Sequence, residues 1–304
     1  MSGKKTPIIS ASPKARKFAR ELGADIHQIH GSHREGRVSE DDIRSFIKAS
    51  LSEKVPKKQA IVTQEYDHSE FGEIDIQEIP RIKKIAGPHL IKSWNEIPHV
   101  THHDEADITE LEEFRTSLRD IHTGEKIKIT PLAFTIRALV KALMEFPNFN
   151  SSLDIENQKI ILKKYFHIGI AVDTPHGLMV PKIRDVDKKD INAISSDLKR
   201  VSEACKNLKI DKKEFFGGSI TISNLGNIGG SFFTPIINQP EVAILGIGRA
   251  ETKQVFINGK YENKIMLPLS LSYDHRIIDG AEGARFCVHL KESLGKDFAY
   301  KLAV

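Results

Sequence analysis

A polar, unpatterned stretch, LSEKVPKKQAIVTQEYDH, limits what this chain can become, because it has neither the period of a helix face nor that of a strand. With the residues just before it, it spans 49–68 and reads as a flexible tether. It divides the chain into a short leading piece, 8–48, and a long trailing piece, 69–304, and each must bury its own apolar surface.

The leading piece has about forty residues for a core, near the lower limit for a unit without disulfides or metal. Ser12 followed by Pro13 predicts a helix cap and first position, and Gly23 supplies the stop. Ser39 predicts the cap of a second helix. Glu40, Asp41 and Asp42 lie in its first turn, where carboxylates favour the positive end of the dipole, and Ile43, Phe46 and Ile47 form its apolar stripe. The loop between them, GSHREGRV, carries two glycines, and the piece is expected to be all-helical.

The trailing piece switches period repeatedly. RIKKIAGPHLIKSW, ITELEEFRTSLRDI, PLAFTIRALVKALMEF and INAISSDLKRVSEACKNL space their apolar residues as helices do. HVTHHDEAD alternates, YFHIGIAVDT and GLMVPKIRDV flank a Pro-His-Gly turn, and SITISN, EVAILGIG and KIMLPLSLSYD are apolar runs of strand length. The expectation is an α/β domain, more closely an α+β two-layer arrangement with helices on one side of a mixed sheet.

Several function classes are disfavoured at this stage. The 45 basic and 41 acidic residues leave a net charge of only +4, too little for a nucleic-acid footprint. No run of 18 apolar residues suggests a membrane span, and MSGKKTPII is not a signal peptide, so a bacterial cytoplasmic or organelle-matrix location is expected. Cys205 and Cys287 have no second cysteine at metal or redox spacing. His99, His102 and His103 lie in an alternating strand that sends the last two to opposite faces, so no metal is expected. LGNIGG lacks the pattern of a phosphate-binding loop.

Chemistry concentrates in DHRIIDG. His275 and Asp279 stand four apart where a buried strand gives way to the helix AEGARFCVHLKESL, a costly place for ionisable groups unless they are paired or used. Ser223 ends another strand candidate just before a glycine-containing turn. A Ser-His-Asp hydrolase would use the same residue types, but it wants a GxSxG elbow that is absent, and the four-residue His-to-Asp spacing does not suit it.

These stretches carry a resemblance. SPKARKFARELGAD with HGSHREGRVSEDDI resembles the peripheral subunit-binding domain of dihydrolipoamide acyltransferases, the core components of 2-oxo acid dehydrogenase complexes. PLSLSYDHRIIDGAEGARF resembles the active-site signature of their catalytic domain, and GGSITISNLGNIGGSFFTPIINQPEVAILGIG a second landmark, 52 residues separating Ser223 from His275. DHSEFGEIDIQEIPRIKKIAG, NEIPHVTHHDEADITELEEFR and YFHIGIAVDTPHGLMVPKIRDVDKKD agree, so the resemblance covers nearly the whole chain.

The resemblance implies a chloramphenicol-acetyltransferase-like catalytic domain that forms trimers and a larger cage. It implies transfer of an acyl group between dihydrolipoamide and coenzyme A, with His275 as general base, Ser223 stabilising the oxyanion, and Asp279 orienting the histidine or paired with an arginine. Serine and histidine would come from neighbouring subunits. Arg16 and Arg37 would hold acidic faces of the dehydrogenase components, pyruvate dehydrogenase and dihydrolipoamide dehydrogenase. The resemblance is strongest to acetyl-transferring members, those of pyruvate dehydrogenase complexes. Members acting on 2-oxoglutarate or branched-chain substrates, and a noncatalytic docking scaffold, are the alternatives. The family usually carries lipoyl domains before the docking module, and none is recognised in these 304 residues.

Overall fold

The computed structural model describes residues 10–33, 36–53, 66–119 and 123–303. They fall into two compact units, one within 1–76 and one within 77–304.

In the first unit, α1 (Pro13–Glu21) opens as its sequence predicts: the Ser12 side chain accepts from the Ala15 N–H at 3.1 Å. Helix α2 (Glu40–Glu53) runs five residues beyond the expected start of the tether, while 54–65 lies outside the described residues. Ala15, Ala19, Ile29, Val38 and Ile43 make the core, with Phe18, Phe46 and Ile47 packed around it. The connecting loop closes so tightly that a Cβ on Gly31 would come within 2.4 Å of the Arg37 and Gly36 backbone.

Polar bonds lock the start of α2. One Asp42 oxygen accepts from the Ser39 N–H and hydroxyl, both at 2.8 Å, and from the Ser32 N–H at 3.2 Å, while the Asp42 N–H donates back to Ser39 Oγ. The Ser39 and Ser32 bonds hold this carboxyl well below the usual range. They therefore stabilise the unit above the ordinary carboxylate pKa and are lost as pH falls through the lowered one.

The second unit contains α3 (Arg81–Glu96), β1 (His99–Asp107), α4 (Thr109–Ser117), α5 (Pro131–Glu145), β2 (Ser151–Asp154), β3 (Lys159–Leu162), β4 (Ile168–Ile170) and β5 (Lys182–Ile183). There follow α6 (Ile191–Lys206), β6 (Ile220–Asn224), β7 (Ala243–Ile247), β8 (Glu251–Ile257), β9 (Lys260–Asp274), α7 (Gly280–Leu294) and α8 (Phe298–Ala303). The main sheet runs β1-β9-β7-β6-β4-β5, with β8 paired to β9 and β2-β3 a separate hairpin. β4, β6 and β7 are parallel, and the other pairings are antiparallel. The mixed α/β expectation holds.

The sheet has two unlike faces, and this positions the site. Alternate residues Ile168, Ile183, Ile220, Ile222, Leu245, Leu269, Leu271 and Tyr273 share one core with side chains of α4 to α8. Helix α5 sits deepest, burying Ala133, Phe134, Ile136, Leu139, Val140 and Leu143. The opposite face is mostly polar: Lys182, Thr221, Ser270 and Ser272 are buried on it, Ser223 and Thr101 half-buried, and Ile244 is an apolar exception.

The β8-β9 hairpin escaped the sequence reading although its signal was present. Asn258 and Gly259 turn the chain with φ of 49° and 82°, and Asn-Gly between strand-like runs is a strong short-range hairpin signal.

Candidate active site

His275 is the first residue after β9. Its backbone N–H donates to Pro98 O at 3.1 Å, and its ring is exposed, 6.1 Å from the buried Tyr273 ring between centroids. Among the described residues no side chain hydrogen-bonds either ring nitrogen, so both remain open to an incoming group.

The residues on either side of it form a clasp. Asp274 is buried, and its carboxylate accepts Arg276 Nε at 2.9 Å, Arg276 Nη2 at 2.6 Å and the Arg276 backbone N–H at 3.0 Å. Asp274 O accepts from the N–H groups of Ile277 and Ile278, and its own N–H donates to Val242 O. The turn bearing His275 is thereby fixed on both sides of the imidazole. Sequence reasoning passed over this pair, although both letters stand in DHRIIDG.

The Asp279 side chain caps α7, accepting the Glu282 N–H at 2.7 Å; among the described residues of this chain no arginine pairs with it, and the arginine of this turn pairs with Asp274.

Ser223 lies near the end of β6 on the polar face, half-buried, with no hydrogen-bond partner for its hydroxyl among the described residues. Asn224 then closes the turn, its Oδ1 accepting the Gly226 N–H at 2.9 Å.

Register fixes the separation of the two. Ser223 pairs with Gly246 and Gly246 with Ser270, whereas His275 lies five residues beyond Ser270, just past the end of β9. Five residues and two strand spacings put Ser223 and His275 of one chain roughly 20 Å apart. No serine-to-histidine contact is possible within a chain.

The remaining candidates divide clearly. His102 turns to the Tyr273 side, centroids 5.6 Å apart, while His103 on the other face bonds Ser270 Oγ at 2.9 Å, and among the described residues no cluster of three potential metal ligands forms. Burial pushes the Cys205 thiol up to about 11 and the Cys287 thiol up to about 12, so neither is a nucleophile near neutral pH. In the first unit Arg37 is exposed after the loop and Arg16 half-buried on α1. No described helix is long and apolar enough to cross a membrane.

A family model described as 2-oxoacid dehydrogenases acyltransferase (catalytic domain) matches residues 72–299. The chain belongs to that acyltransferase family. A second model, an e3 binding domain, matches residues 9–44 in the first unit. The dihydrolipoyllysine-residue acetyltransferase component of the pyruvate dehydrogenase complex of Cupriavidus necator is 45% identical over an alignment of 297 positions that covers 93% of this chain and 53% of that one. The corresponding component of Haemophilus influenzae is 42% identical, covering 94% of this chain and 53% of its own. This acyltransferase chain thus spans about half the length of those curated relatives.

Among solved structures, the Azotobacter vinelandii dihydrolipoamide acetyltransferase matches with a TM-score of 0.74 and 44% identity, covering 78% of this chain and 97% of that one. That structure addresses the role of one serine, one histidine and one asparagine in the catalytic mechanism of the Azotobacter enzyme. A structure of the cubic core of the pyruvate dehydrogenase multienzyme complex matches with the same score, identity and coverage.

Proposed function

We propose that this acyltransferase moves an acetyl group between dihydrolipoamide and coenzyme A as the core of a pyruvate dehydrogenase complex. The observation that carries the reading is an open imidazole at His275 and an open hydroxyl at Ser223, with Asp279 four residues on. The serine, histidine and asparagine of the Azotobacter structure are numbered 52 and then 4 residues apart, the same spacing as Ser223, His275 and Asp279. Here an aspartate stands at the asparagine's spacing. An uncharged carboxamide can cap a helix as a carboxylate does, and the cap is the contact Asp279 makes.

The chemistry follows from the two groups. A thiol with a pKa near 8.5 is mostly protonated at neutral pH, so the neutral imidazole of His275 accepts its proton as the coenzyme A sulfur attacks the acetyl carbonyl. A new C–S bond forms, the carbonyl π pair moves to oxygen, and the Ser223 O–H donates to that oxyanion. When the carbonyl reforms, the bond to the lipoamide sulfur breaks, and the imidazolium returns its proton to the departing thiolate. The reverse direction uses the same groups.

With the serine and histidine of one chain roughly 20 Å apart, the site requires a second copy. Ile85, Leu90, Ile91 and Trp94 of α3 are exposed apolar side chains, which favours burial against another molecule. Trimers built into a larger cage accommodate both facts. The first unit would dock the dihydrolipoamide dehydrogenase component, and by family resemblance the pyruvate dehydrogenase component, through Arg16 and Arg37.

Two measurements test these readings. With free dihydrolipoamide as acceptor, the purified assembly should prefer acetyl-CoA over succinyl-CoA and isobutyryl-CoA; preference for another acyl group assigns a different complex, and no transfer from any donor favours a scaffold. Arg16→Ala with Arg37→Ala should weaken capture of dihydrolipoamide dehydrogenase and leave transfer unchanged, and undiminished capture would remove the docking assignment.

A further inference from the structure

Two residues before Ser223 on the same face of β6, Thr221 enters a fully buried charged network. Lys182 of β5 and Glu241, just before β7, pair at 2.5 Å with both side chains 1% exposed. Thr221 Oγ1 donates to Glu241 Oε2 at 2.6 Å and accepts from Lys182 Nζ at 3.2 Å, and Asn238 Nδ2 donates to Glu241 Oε1 at 3.1 Å. None of these groups has a part in the proton transfers described above.

Stability alone is a poor account of such a network. A buried ion pair is often no more stabilising than well-packed apolar side chains of similar volume. What it supplies is direction, since each of the three side chains is engaged by the other two. The backbone ladder beside Ser223 is short: three residue pairs join β4 to β6, four join β6 to β7, and two join β4 to β5. A slip of one residue along β6 would turn Ser223 from the polar face to the helix side.

The surrounding backbone is shaped to admit the network. A Cβ on Gly169 would lie 2.4 Å from Thr221 Oγ1 and 2.6 Å from Lys182 Nζ, and one on Gly218 would lie 2.2 Å from Glu241 Oε1. Lys163 ties the same loop down, donating to Gly218 O at 2.9 Å. Three chain segments, those of Lys182, Glu241 and Gly169, thus converge on Thr221, two residues from Ser223.

We propose that Lys182, Glu241 and Thr221 are positioning residues for Ser223, holding β6 in register so that its hydroxyl keeps its aim at the reacting carbonyl oxygen. The inference rests on the reading of Ser223 as the oxyanion donor.

The test is a cycle on the assembled protein, with acetyl-CoA and free dihydrolipoamide as substrates. Lys182→Met with Glu241→Leu removes both charges together and keeps the volume filled, and Thr221→Val removes the hydroxyl alone. Thermal midpoint and assembly size should persist, while kcat falls about 100-fold for the pair and about 10-fold for Thr221→Val, with KM changed less than about two-fold. In a Ser223→Ala background the same changes should lower kcat no further, because the group they position is gone. An undiminished kcat in the folded variants, or an equal loss in both backgrounds, overturns the inference. Should the charge-free pair fail to assemble, Thr221→Val in the two backgrounds decides by the same criterion. If Ser223→Ala alone leaves kcat intact, the assignment of Ser223 has failed, a result distinct from additivity in the cycle.

Discussion

Replacing His275 by alanine is expected to lower kcat by about 10²- to 10⁴-fold, the range in which a positioned general base contributes. The fold has little reason to object. The side chain is exposed, its ring bonds no described residue, and the backbone contact to Pro98 O survives the substitution. The Asp274–Arg276 clasp that shapes the turn is also untouched. Assembly size and thermal midpoint should therefore match the parent protein, and the loss should fall on kcat with KM little changed, as for a group used mainly in the transition state. A variant that keeps its turnover places the base elsewhere in the molecule.

The sequence carried the elements whose physics is local. Helix α5 announces itself through Pro131 at its start and apolar residues at nearly every position, and the structure buries it accordingly. The first unit was legible for the same reason, since Ser12, Pro13 and Gly23 act within a few residues of themselves. The strand β9 is legible from Lys264 onward as KIMLPLSLSYD, but its first four residues pair with β8 and are all exposed, so they lack an apolar signal.

The site was legible only in part. His275 and Ser223 lie in recognisable stretches, so a motif finds them. The resemblance implies that they come from neighbouring subunits, but the distance between them within one chain depends on the register of three strands, which no motif carries. Lys182 and Glu241 were invisible for a related reason. Each reads alone as a surface charge, as most lysines and glutamates are, and they are 59 residues apart in sequence. Only the fold shows that each is the other's counter-ion. Arg276 illustrates the converse: it stands in a recognisable motif, yet only the tight turn after β9 shows that its partner in this chain is Asp274, two residues before it.

The separation of serine and histidine gives the sharpest test of the whole arrangement. Ser223→Ala should lower kcat about 10²- to 10³-fold, the usual loss of one oxyanion donor, and His275→Ala supplies a second crippled chain with an intact serine. If each site takes its serine from one copy and its histidine from the next, co-assembling equal amounts of the two variants pairs good with good in about one site of four. Activity should then recover to about a quarter of the unmodified protein, far above either variant alone. Sites contained within single chains would show no recovery, since every chain would lack one group. With five residue steps and two strand spacings between Ser223 and His275 of one chain, recovery would mean that a second copy brings the two groups to the same carbonyl.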